Sequence, residues 1–413
     1  MRTILHSDLN NFYASVECVY DPSLRKHPIA VCGSPDERHG IVLAKNNLAK
    51  AMGVRTGEAI WQAREKCPGL QVVAPDFKKY VRFSKMMREI YAEYSDFIEP
   101  FGLDEAWIDV TGHPMDGRAI ADELRRRARD ELGLTLSVGV SFNKIFAKLG
   151  SDMKKPDATT VITPENFREK VWPLPAEDLL YVGPATRRKL RSRNILTIGQ
   201  IAQCPPQVLS AMLGKCGEML WSFANGLESS AVRPMGESAM IKSVGNSTTT
   251  PRDLVCDRDA QMVVTVLAES VAERLRANAL CGSVIEISVR DCELNSFTRQ
   301  RRIDQPTALA SEIIPCAMGL FREHYHWERP VRSMGVCVSA LQAIDGDEQL
   351  TMFPDRSRER LYDLESAVEE IRHRFGHHSI LRASLISDSI GEINPRDDHV
   401  IFPVGWKSAS GGG

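Results

Sequence analysis

The stretch that decides the fold is "EPFGLDEAWIDVTG" (residues 99–112). Two adjacent acids, Asp104 and Glu105, follow an apolar segment and precede the alternating run Ala106-Trp107-Ile108-Asp109-Val110. Alternation of apolar and polar residues is typical of a half-buried strand. The pattern therefore predicts a β-hairpin that holds both carboxylates at its tip, where a metal ion can reach them.

A third carboxylate belongs to the same argument. The strand-like segment "RTILHSD" (2–8) ends in Asp8. Three acids at the ends of strands suit a site for two divalent cations, and two such cations suit phosphoryl transfer. Two plainer interpretations stay open at this point, because acids at a turn are often solvated and Asp8 could cap the helix that begins near Phe12.

The length and composition describe a multidomain globular protein. A chain of 413 residues is expected to form about two to four domains. No apolar run approaches the ~18 residues that a membrane span needs, and the N-terminus turns polar too early for a secretory signal. A cytoplasmic location without a membrane partner is expected. The net charge of −2 means that a nucleic acid would be bound by local patches.

The order of predicted elements gives the fold class. A strand and a helix (1–20), an amphipathic helix (77–97), the hairpin, an arginine-rich helix (118–132) and another strand and helix fit a split βαβ sheet with helices on one face. Such a sheet would bring Asp8 beside the hairpin tip. Strands and helices alternate again after residue 240, which predicts a separate α+β domain.

Two glycine turns precede or interrupt short helical segments, at "VGPAT" (182–186) and "LGKCG" (213–217). The first is followed by the cationic run "RRKLRSR" (187–193). Helix pairs joined by glycine turns present backbone N–H groups to phosphates, and cations add counterion release. A solvated helix face explains the charges about equally well. Two interpretations are also open for "RQRRID" (299–304), which lies on a predicted strand. Its alternating cations could bind along a DNA backbone, or they could belong to an ordinary solvated edge strand.

Together these motifs resemble the Y-family (translesion) DNA polymerases, and within them the bacterial polymerase IV and polymerase V catalytic-subunit branches. The resemblance is carried by "DLNNFYASVE" (8–17), "GLDEAWIDVTG" (102–112), "SVGVSFNKIFAKLGSDMKKPD" (137–157) and "VGPAT", in order over roughly residues 1–345. It implies an α+β right-hand architecture with a ferredoxin-like palm, small fingers, a helical helix-hairpin-helix thumb and an α+β little finger. The implied bounds are palm 1–20 and 77–166, fingers 21–76, thumb 167–232, linker 233–240, little finger 241–345, and a clamp-binding peptide, helix and tail in 346–413.

The resemblance also implies the site residues. Asp8, Asp104 and Glu105 match the metal-binding carboxylates and would hold two Mg²⁺ ions. The backbone of Asn10, Asn11, Phe12 and Tyr13 would hold the triphosphate of an incoming dNTP, with Tyr13 as the steric gate and with Lys155 and Lys50 as cations. Contacts to the DNA primer–template are implied for Gly183, Arg187, Arg188, Lys189, Gly214, Gly217, Arg299 and Arg301.

"QLTMF" (349–353) stands where the family carries its sliding-clamp peptide. Its anchors would be Gln349, Leu350, Met352 and Phe353. An extended segment with apolar side chains can insert into a pocket of a partner protein. Nothing in the sequence indicates an obligate dimer, so a monomer is expected.

Departures from the family pattern occur at the nucleotide contacts. Asn47 and Lys50 replace the usual tyrosine and arginine of the fingers, and lysine lacks the bidentate fork of arginine. The second aspartate of the first motif is Asn10, at a position that is not a metal ligand in the family. The helix and tail after residue 355 have no assigned role.

The predicted function is that of a template-directed, low-fidelity DNA polymerase for translesion synthesis. A nucleotidyl cyclase is the alternative enzyme, since a split βαβ palm with paired acids also makes cyclic nucleotides, but a cyclase needs no thumb or little finger. A catalytically inactive DNA-binding scaffold is the second alternative. The acids at 8, 104 and 105 argue against it.

Overall fold

The protein divides into two compact units. The computed structural model describes residues 2–33, 40–237, 240–344, 356–386, 390 and 393. The first unit is formed by the described part of 1–34 and 40–239, and the second by the described part of 240–401. Each unit has its own hydrophobic core.

The first unit carries all three acids of the predicted metal site. A five-stranded sheet lies at its centre, and helices follow most of its strands. Its elements in chain order are β1 (Ile4–Leu9), α1 (Phe12–Tyr20), β2 (Ile29–Cys32), β3 (Val42–Lys45), α2 (Asn47–Ala51), α3 (Ile60–Lys66), β4 (Gln71–Val73), α4 (Phe77–Ala92), β5 (Ile98–Pro100), β6 (Glu105–Asp109), α5 (Gly117–Leu132), β7 (Leu136–Ser141), α6 (Lys144–Met153), β8 (Thr159–Val161), α7 (Phe167–Val171), α8 (Pro184–Arg191), α9 (Ile198–Gln203), α10 (Pro206–Leu213) and α11 (Lys215–Ala224).

The central sheet has the strand order β5-β6-β1-β7-β8. The predicted hairpin is confirmed, since β5 and β6 pair antiparallel with Pro100 opposite Ala106. β1 lies between β6 and β7, antiparallel to both, and all of its residues are buried. A strand with neighbours on both sides is fixed in position, so Asp8 near its end has little freedom to move.

Helices cover both faces of this sheet, so the expectation that they lie on one face was wrong. Alternate side chains such as Leu5 and Val140 pack with α4 and α5. On the other face α6 crosses at Gly139, where a Cβ would lie 1.9 Å from the backbone oxygen of Ala147. Only glycine permits this approach. The crossing places the lysines of α6 over the face to which Asp8 belongs.

A smaller sheet of order β3-β2-β4 and the helices α2 and α3 lie within residues 29–73. Gly53 and Gly57 lie between α2 and α3. Both glycines have positive φ, +87° and +84°, which breaks the chain between α2 and α3. Positive φ is readily adopted by glycine and does not continue an α-helix.

Residues 167–224 form a helical subdomain, whose apolar core also includes Ile145, Phe146 and Leu149 of α6. The two glycine turns predicted there are confirmed as boundaries of helices. Gly183 caps the N-terminus of α8, and Gly214 (φ +63°) joins α10 to α11. Gly217 lets these two helices touch, because a Cβ there would lie 2.2 Å from the oxygen of Leu209.

The second unit is a four-stranded antiparallel sheet backed by two helices. Its elements are β9 (Ser243–Leu254), α12 (Asp257–Ala277), β10 (Leu280–Asp291), β11 (Ser296–Thr307), α13 (Ala310–His324), β12 (Val331–Ala343) and α14 (Arg356–Phe375). The sheet order is β11-β10-β12-β9. Val263, Ile285 and Phe321 lie in the continuous core of this unit.

The last helix, α14, attaches to this unit through charged side chains. Glu365 accepts hydrogen bonds from the N–H groups of Ala310 and Ser311 (2.9 Å each) at the start of α13. The same carboxylate pairs with Arg276 at 2.9 Å. Anionic groups are favourable at a helix N-terminus because its first N–H groups have no partner within the helix.

Candidate active site

Asp8 and Glu105 face each other across two paired strands. Their Cα atoms are register partners in the antiparallel β1–β6 pair. Asp104 precedes Glu105 at the end of the hairpin turn, and its carbonyl accepts a hydrogen bond from the N–H of Leu9 at 3.0 Å. The fold therefore brings the three predicted carboxylates to one edge of the sheet.

Two lysines neutralise part of this negative charge. Lys155 Nζ lies 2.8 Å from Asp8 Oδ2, and Lys148 Nζ lies 2.9 Å from Glu105 Oε2 and 3.6 Å from Asp8 Oδ2. Asp152 also pairs with Lys148 at 3.3 Å and with Lys155 at 2.9 Å. Lys148 and Asp152 were not predicted. The sequence signal was available, because Lys148 follows Lys144 by four residues and stands among the apolar residues of α6.

Burial and the charges of neighbouring groups shift the pKa values of all three carboxylates. Burial raises the pKa of Asp8 to about 7, with Lys155 opposing and Glu105 reinforcing the shift. Burial, followed by the charge of Glu105, raises the pKa of Asp104 to about 6. Although burial alone would raise it, contacts with His6 and Lys148 lower the pKa of Glu105 to about 2. A site of this kind favours any further positive charge placed in it.

His6 lies beneath Glu105 and was not predicted. Its Nδ1 is 2.9 Å from Ser151 Oγ, and its Nε2 is 3.5 Å from Glu105 Oε2. Within the described parts of the chain neither Nε2 nor Oε2 makes a hydrogen bond of good geometry. Burial is the main cause that lowers the pKa of His6 to about 4, so the ring is neutral at pH 7.

The donor set fits divalent cations that prefer oxygen. In residues 2–33, 40–237, 240–344 and 356–386, no three Asp, Glu, His or Cys side chains already meet at metal-ligand spacing. Asp8 and Glu105 instead point at the two lysines. The carboxylate oxygens of Asp8, Asp104 and Glu105 are nonetheless the ligands that Mg²⁺ takes in phosphoryl-transfer sites. Burial, together with the charge of Glu105, raises the pKa values of Asp8 and Asp104, so a cation placed among these carboxylates would favour their ionised form.

Tyr13 forms an aromatic wall beside Asp104. Burial, followed by the charge of Asp104, raises the pKa of Tyr13 to about 12. Its ring stacks on Tyr80 with centroids 4.3 Å apart and planes inclined by 14°. The Tyr80 hydroxyl donates a hydrogen bond to Glu17 at 2.7 Å, and Glu17 is itself buried. Tyr80 and Glu17 were not predicted, because they come from two helices distant in sequence.

The other residues of the β1–α1 turn differ in their exposure. Phe12 is buried in the core. Asn11 adopts φ +50° ahead of α1 and donates a hydrogen bond to Asn47 Oδ1 at 3.0 Å. The N–H of Asn10 donates to the carbonyl of Thr135 at 2.9 Å, so it is already used within the fold.

Two cations lie near one another on the smaller sheet and α2. Lys50, which was predicted, is exposed. Burial, followed by the neighbouring charge of Lys50, lowers the pKa of Lys45, which donates a hydrogen bond to Thr56 Oγ1 at 3.0 Å. Lys45 was not predicted, since a lysine at the end of a short strand gives no distinctive pattern.

The predicted DNA contacts of the helical subdomain fall into two groups. Arg188 and Lys189 are exposed on α8, and Gly183 stands in open space at its start. Arg187 is half-buried and lies 3.4 Å from Glu177. Gly214 and Gly217 shape the α10–α11 turn. The exposed cations are thus available to a ligand, whereas Arg187 is partly neutralised within the protein.

The predicted cations of the second unit lie on its edge strand β11. Arg301 is half-buried and pairs with Glu323 of α13 at 2.5 Å. Arg299 packs over the ring of Phe297 at 5.4 Å. Arg302 lies on the opposite face of the strand by alternation and is exposed. The predicted clamp residues Gln349, Leu350, Met352 and Phe353 lie outside the described residues.

No helix in the described residues combines the length and apolar character that a membrane span requires.

Comparison with known proteins places the chain in a family. Residues 7–152 match the sequence model of the impB/mucB/samB family, and residues 241–352 match that family's C-terminal domain. The chain is 50% identical to the DNA polymerase IV of Acetivibrio thermocellus over 94% of this chain and 98% of the relative. It is 35% identical to the DNA polymerase IV of Bacillus velezensis over 93% of each chain.

A solved structure has a fold similar to that of this chain. A Y-family DNA polymerase chimera matches with a TM-score of 0.73 and 23% identity over 83% of this chain and 99% of the other. At this level of identity the likeness supports the right-hand α+β fold alone. The sequence matches carry the family assignment. The chain therefore belongs to the impB/mucB/samB family and is a member of the Y-family DNA polymerases.

Proposed function

We propose that this protein is a template-directed, low-fidelity DNA polymerase that adds dNTPs to a primer 3′-hydroxyl and copies past damaged bases. The observation that carries the proposal is the pairing of Asp8 with Glu105 across β1 and β6, beside Asp104 and under two lysines. A carboxylate cluster of this kind suits phosphoryl transfer. The DNA polymerase IV relatives that match nearly the whole chain support the choice of DNA as substrate.

Asp8, Asp104 and Glu105 would hold two Mg²⁺ ions. When bound, the two cations activate the primer hydroxyl and offset the charge of the triphosphate. The chain's own part is to hold the three carboxylates in place. Lys148 keeps Glu105 charged, and β1 fixes the backbone of Asp8 between two neighbouring strands.

Lys155, with the N–H groups of residues 11–13, would receive the triphosphate. Lys155 is one of the cations nearest Asp8, and the start of α1 favours anions. Lys50 and Lys45 would add charge from the smaller sheet and α2, in place of the arginine that the family usually has there. Tyr13, backed by Tyr80, would exclude the 2′-hydroxyl of a ribonucleotide.

The domain bounds are those predicted from the sequence. We assign the palm to 1–20 and 77–166, the fingers to 21–76, the thumb to 167–232, the linker to 233–240 and the little finger to 241–345. The separate core of the second unit supports the bound between the linker and the little finger. Residues 346–413 would carry the clamp peptide, a helix and the tail.

The thumb and little finger would bind the primer–template. Gly183, Gly214 and Gly217 would present backbone N–H groups to phosphates, and Arg188 and Lys189 would add charge. Arg187, Arg299 and Arg301 would contribute less, because each already has a partner or packing contact in the protein. A sliding clamp would bind residues 349–353. We propose a monomer in the cytoplasm, where chromosomal DNA is found.

A primer-extension assay tests the proposal. A DNA hairpin with a recessed 3′ end is incubated with Mg²⁺ and each dNTP separately. Template-directed addition of the complementary dNTP is expected, and it should continue opposite a damaged template base. Conversion of ATP to a cyclic nucleotide without a template would indicate a cyclase, and DNA binding with no reaction would indicate a scaffold. Either of these two results contradicts the proposal.

A further inference from the structure

Asn10 stands where the Y-family usually has the second aspartate of its first motif. The side chain of Asn10 is almost completely buried. Only 5% of the residue is exposed. Its Nδ2 donates a hydrogen bond to Ser137 Oγ at 3.0 Å, and its Oδ1 accepts one from the backbone N–H of Asp157 at 2.8 Å. The side chain thus connects β1 and β7 to the loop that carries Lys155.

We propose that Asn10 is a positioning residue, which fixes the Lys155 loop so that the Lys155 ammonium group stays at the triphosphate site. This inference rests on the proposed polymerase function. Asn10 acts through Asp157 and does not itself touch the nucleotide. The role differs from the triphosphate contact that the sequence resemblance implies for the same residue.

The loop needs such support because its conformation is costly. Asp157 has φ +49°, which is uncommon for a residue other than glycine. A strained backbone persists when its surroundings hold it from several sides. Asp157 is held on its side chain by Arg125 Nε at 3.0 Å and by Arg129 at 3.4 Å. Asn10 holds its N–H, and Ala158 accepts a hydrogen bond from Val138 N at 2.9 Å.

The position of Lys155 follows from that of Asp157. Only one residue separates them, so a shift of Asp157 moves the Lys155 backbone as well. Lys155 Nζ lies 2.8 Å from Asp8 and 2.9 Å from Asp152. Its side chain is 30% exposed, so packing alone does not hold it. Without the hydrogen bond that the N–H of Asp157 donates to Asn10, the ammonium group of Lys155 would sample positions away from the site.

The chemistry of the amide explains which substitutions are tolerated. Asparagine offers a donor to Ser137 and an acceptor to Asp157 at once. Aspartate can also accept from Asp157 N–H, and the Ser137 hydroxyl can turn to donate to it. Leucine has a similar volume but leaves the buried N–H of Asp157 unpaired, which is unfavourable.

The backbone of Asn10 is held independently of its side chain. Its N–H donates to the Thr135 carbonyl at 2.9 Å, and its carbonyl accepts from Ser15 Oγ at 2.7 Å. A substitution at Asn10 therefore changes the Lys155 loop while the β1–α1 turn keeps these two bonds. This makes the side chain testable without displacing Asp8.

The test is a double-mutant cycle on dNTP affinity, read as an equilibrium Kd on primer–template with Ca²⁺ in place of Mg²⁺ so that no turnover is needed. Asn10→Leu should weaken dNTP binding by about tenfold, and Lys155→Ala by at least as much. If Asn10 acts through Lys155, the double variant should match Lys155→Ala alone. Asn10→Asp should restore most of the affinity.

Two further measurements separate positioning from general damage. Amide hydrogen exchange at Asp157 should be slow in the wild type and faster in Asn10→Leu. Asn166→Leu is the matched control, because Asn166 Oδ1 also accepts a backbone N–H bond, from Thr163 at 2.9 Å, away from the site. It should lower the melting temperature without changing the dNTP Kd.

The outcomes distinguish the two proposals. Additive effects of Asn10→Leu and Lys155→Ala, or unchanged exchange at Asp157, would overturn the role of Asn10 alone. A wild-type protein that binds no dNTP on primer–template would overturn the polymerase function and, with it, the role of Lys155. A non-additive cycle with restoration by Asn10→Asp supports both.

Discussion

Tyr13 stacks face to face on Tyr80, with ring centroids 4.3 Å apart. The Tyr80 hydroxyl is in turn anchored on the buried carboxylate of Glu17. Because the stacked Tyr80 ring is itself fixed by this charged hydrogen bond, Tyr13 has little freedom to turn aside when a ribose 2′-hydroxyl approaches. The structure thus gives the steric gate proposed for Tyr13 a rigid support.

Removal of the Tyr13 ring should admit ribonucleotides. In Tyr13→Ala, the ratio of kcat/KM for dUTP over UTP should fall by at least about tenfold, since a steric block is lost. Single-nucleotide extension with each substrate measures this. Tyr20→Ala, which removes an exposed ring from the same helix, is the control and should leave the ratio unchanged. Equal discrimination in Tyr13→Ala and the wild type would remove Tyr13 from this role.

Gly217 should be indispensable for the α10–α11 turn. A Cβ at this position would lie 2.2 Å from the Leu209 oxygen, so Gly217→Ala must push the two helices apart. Overpacking of this kind costs about 1–3 kcal/mol, and the turn should also bind primer–template less tightly. Thermal unfolding and a DNA-binding titration test both effects. For stability, Gly183→Ala is the control, since nothing lies within 4 Å of its added Cβ; equal melting temperatures for the two variants would contradict the packing argument.

Asp259 should make the second unit sensitive to acid. Two hydrogen bonds from Arg252, each 2.8 Å, are the main cause that lowers the pKa of Asp259 from 3.8 to about 2, with a third bond from the N–H of Val255. Since the pKa is depressed in the folded state, this stabilisation is present above pH 3.8 and is lost as the pH falls towards 2.

The Asp259→Asn variant tests this linkage. It should lower the free energy of unfolding by about 1–2 kcal/mol at pH 7 and less at pH 3. Asp304→Asn, at an exposed position of β11, is the control and should change neither value. Chemical denaturation at the two pH values provides the measurement. An equal loss at both pH values would mean that the carboxylate charge of Asp259 does not stabilise the fold.

The sequence was most informative where the chemistry depends on neighbours along the chain. The hairpin with Asp104 and Glu105 follows from local alternation, and the position of Asp8 beside it follows from the order of strands. His6 and the Tyr80–Glu17 pair did not follow, because their contacts depend on where helices pack against the sheet and against each other. α6 crosses where Gly139 permits close approach, a relation between segments that spacing along one segment does not express.

The residues that depart from the family pattern at the nucleotide site also make contacts that spacing along one segment does not indicate. The sequence predicts a backbone contact of Asn10 with the triphosphate and no metal-binding role for its side chain. Its contact with Asp157 joins residues 147 positions apart, so no local pattern could have indicated it. Asn47 was noted as a missing tyrosine, and the structure shows it accepting a hydrogen bond from Asn11. In both cases an unusual residue serves the protein's own internal contacts.

The most direct test of the central claim is primer extension by Asp104→Asn beside Asp109→Asn. Both variants replace a carboxylate of the same hairpin, but Asp109 stands at the far end of β6 and accepts a hydrogen bond from Thr111 N. We predict that Asp104→Asn loses at least about a hundredfold in the rate of Mg²⁺-dependent nucleotide addition, while Asp109→Asn extends the primer at nearly the wild-type rate. Near-normal extension by Asp104→Asn, in a protein that still binds primer–template, would contradict the assignment of this carboxylate cluster as the polymerase active site.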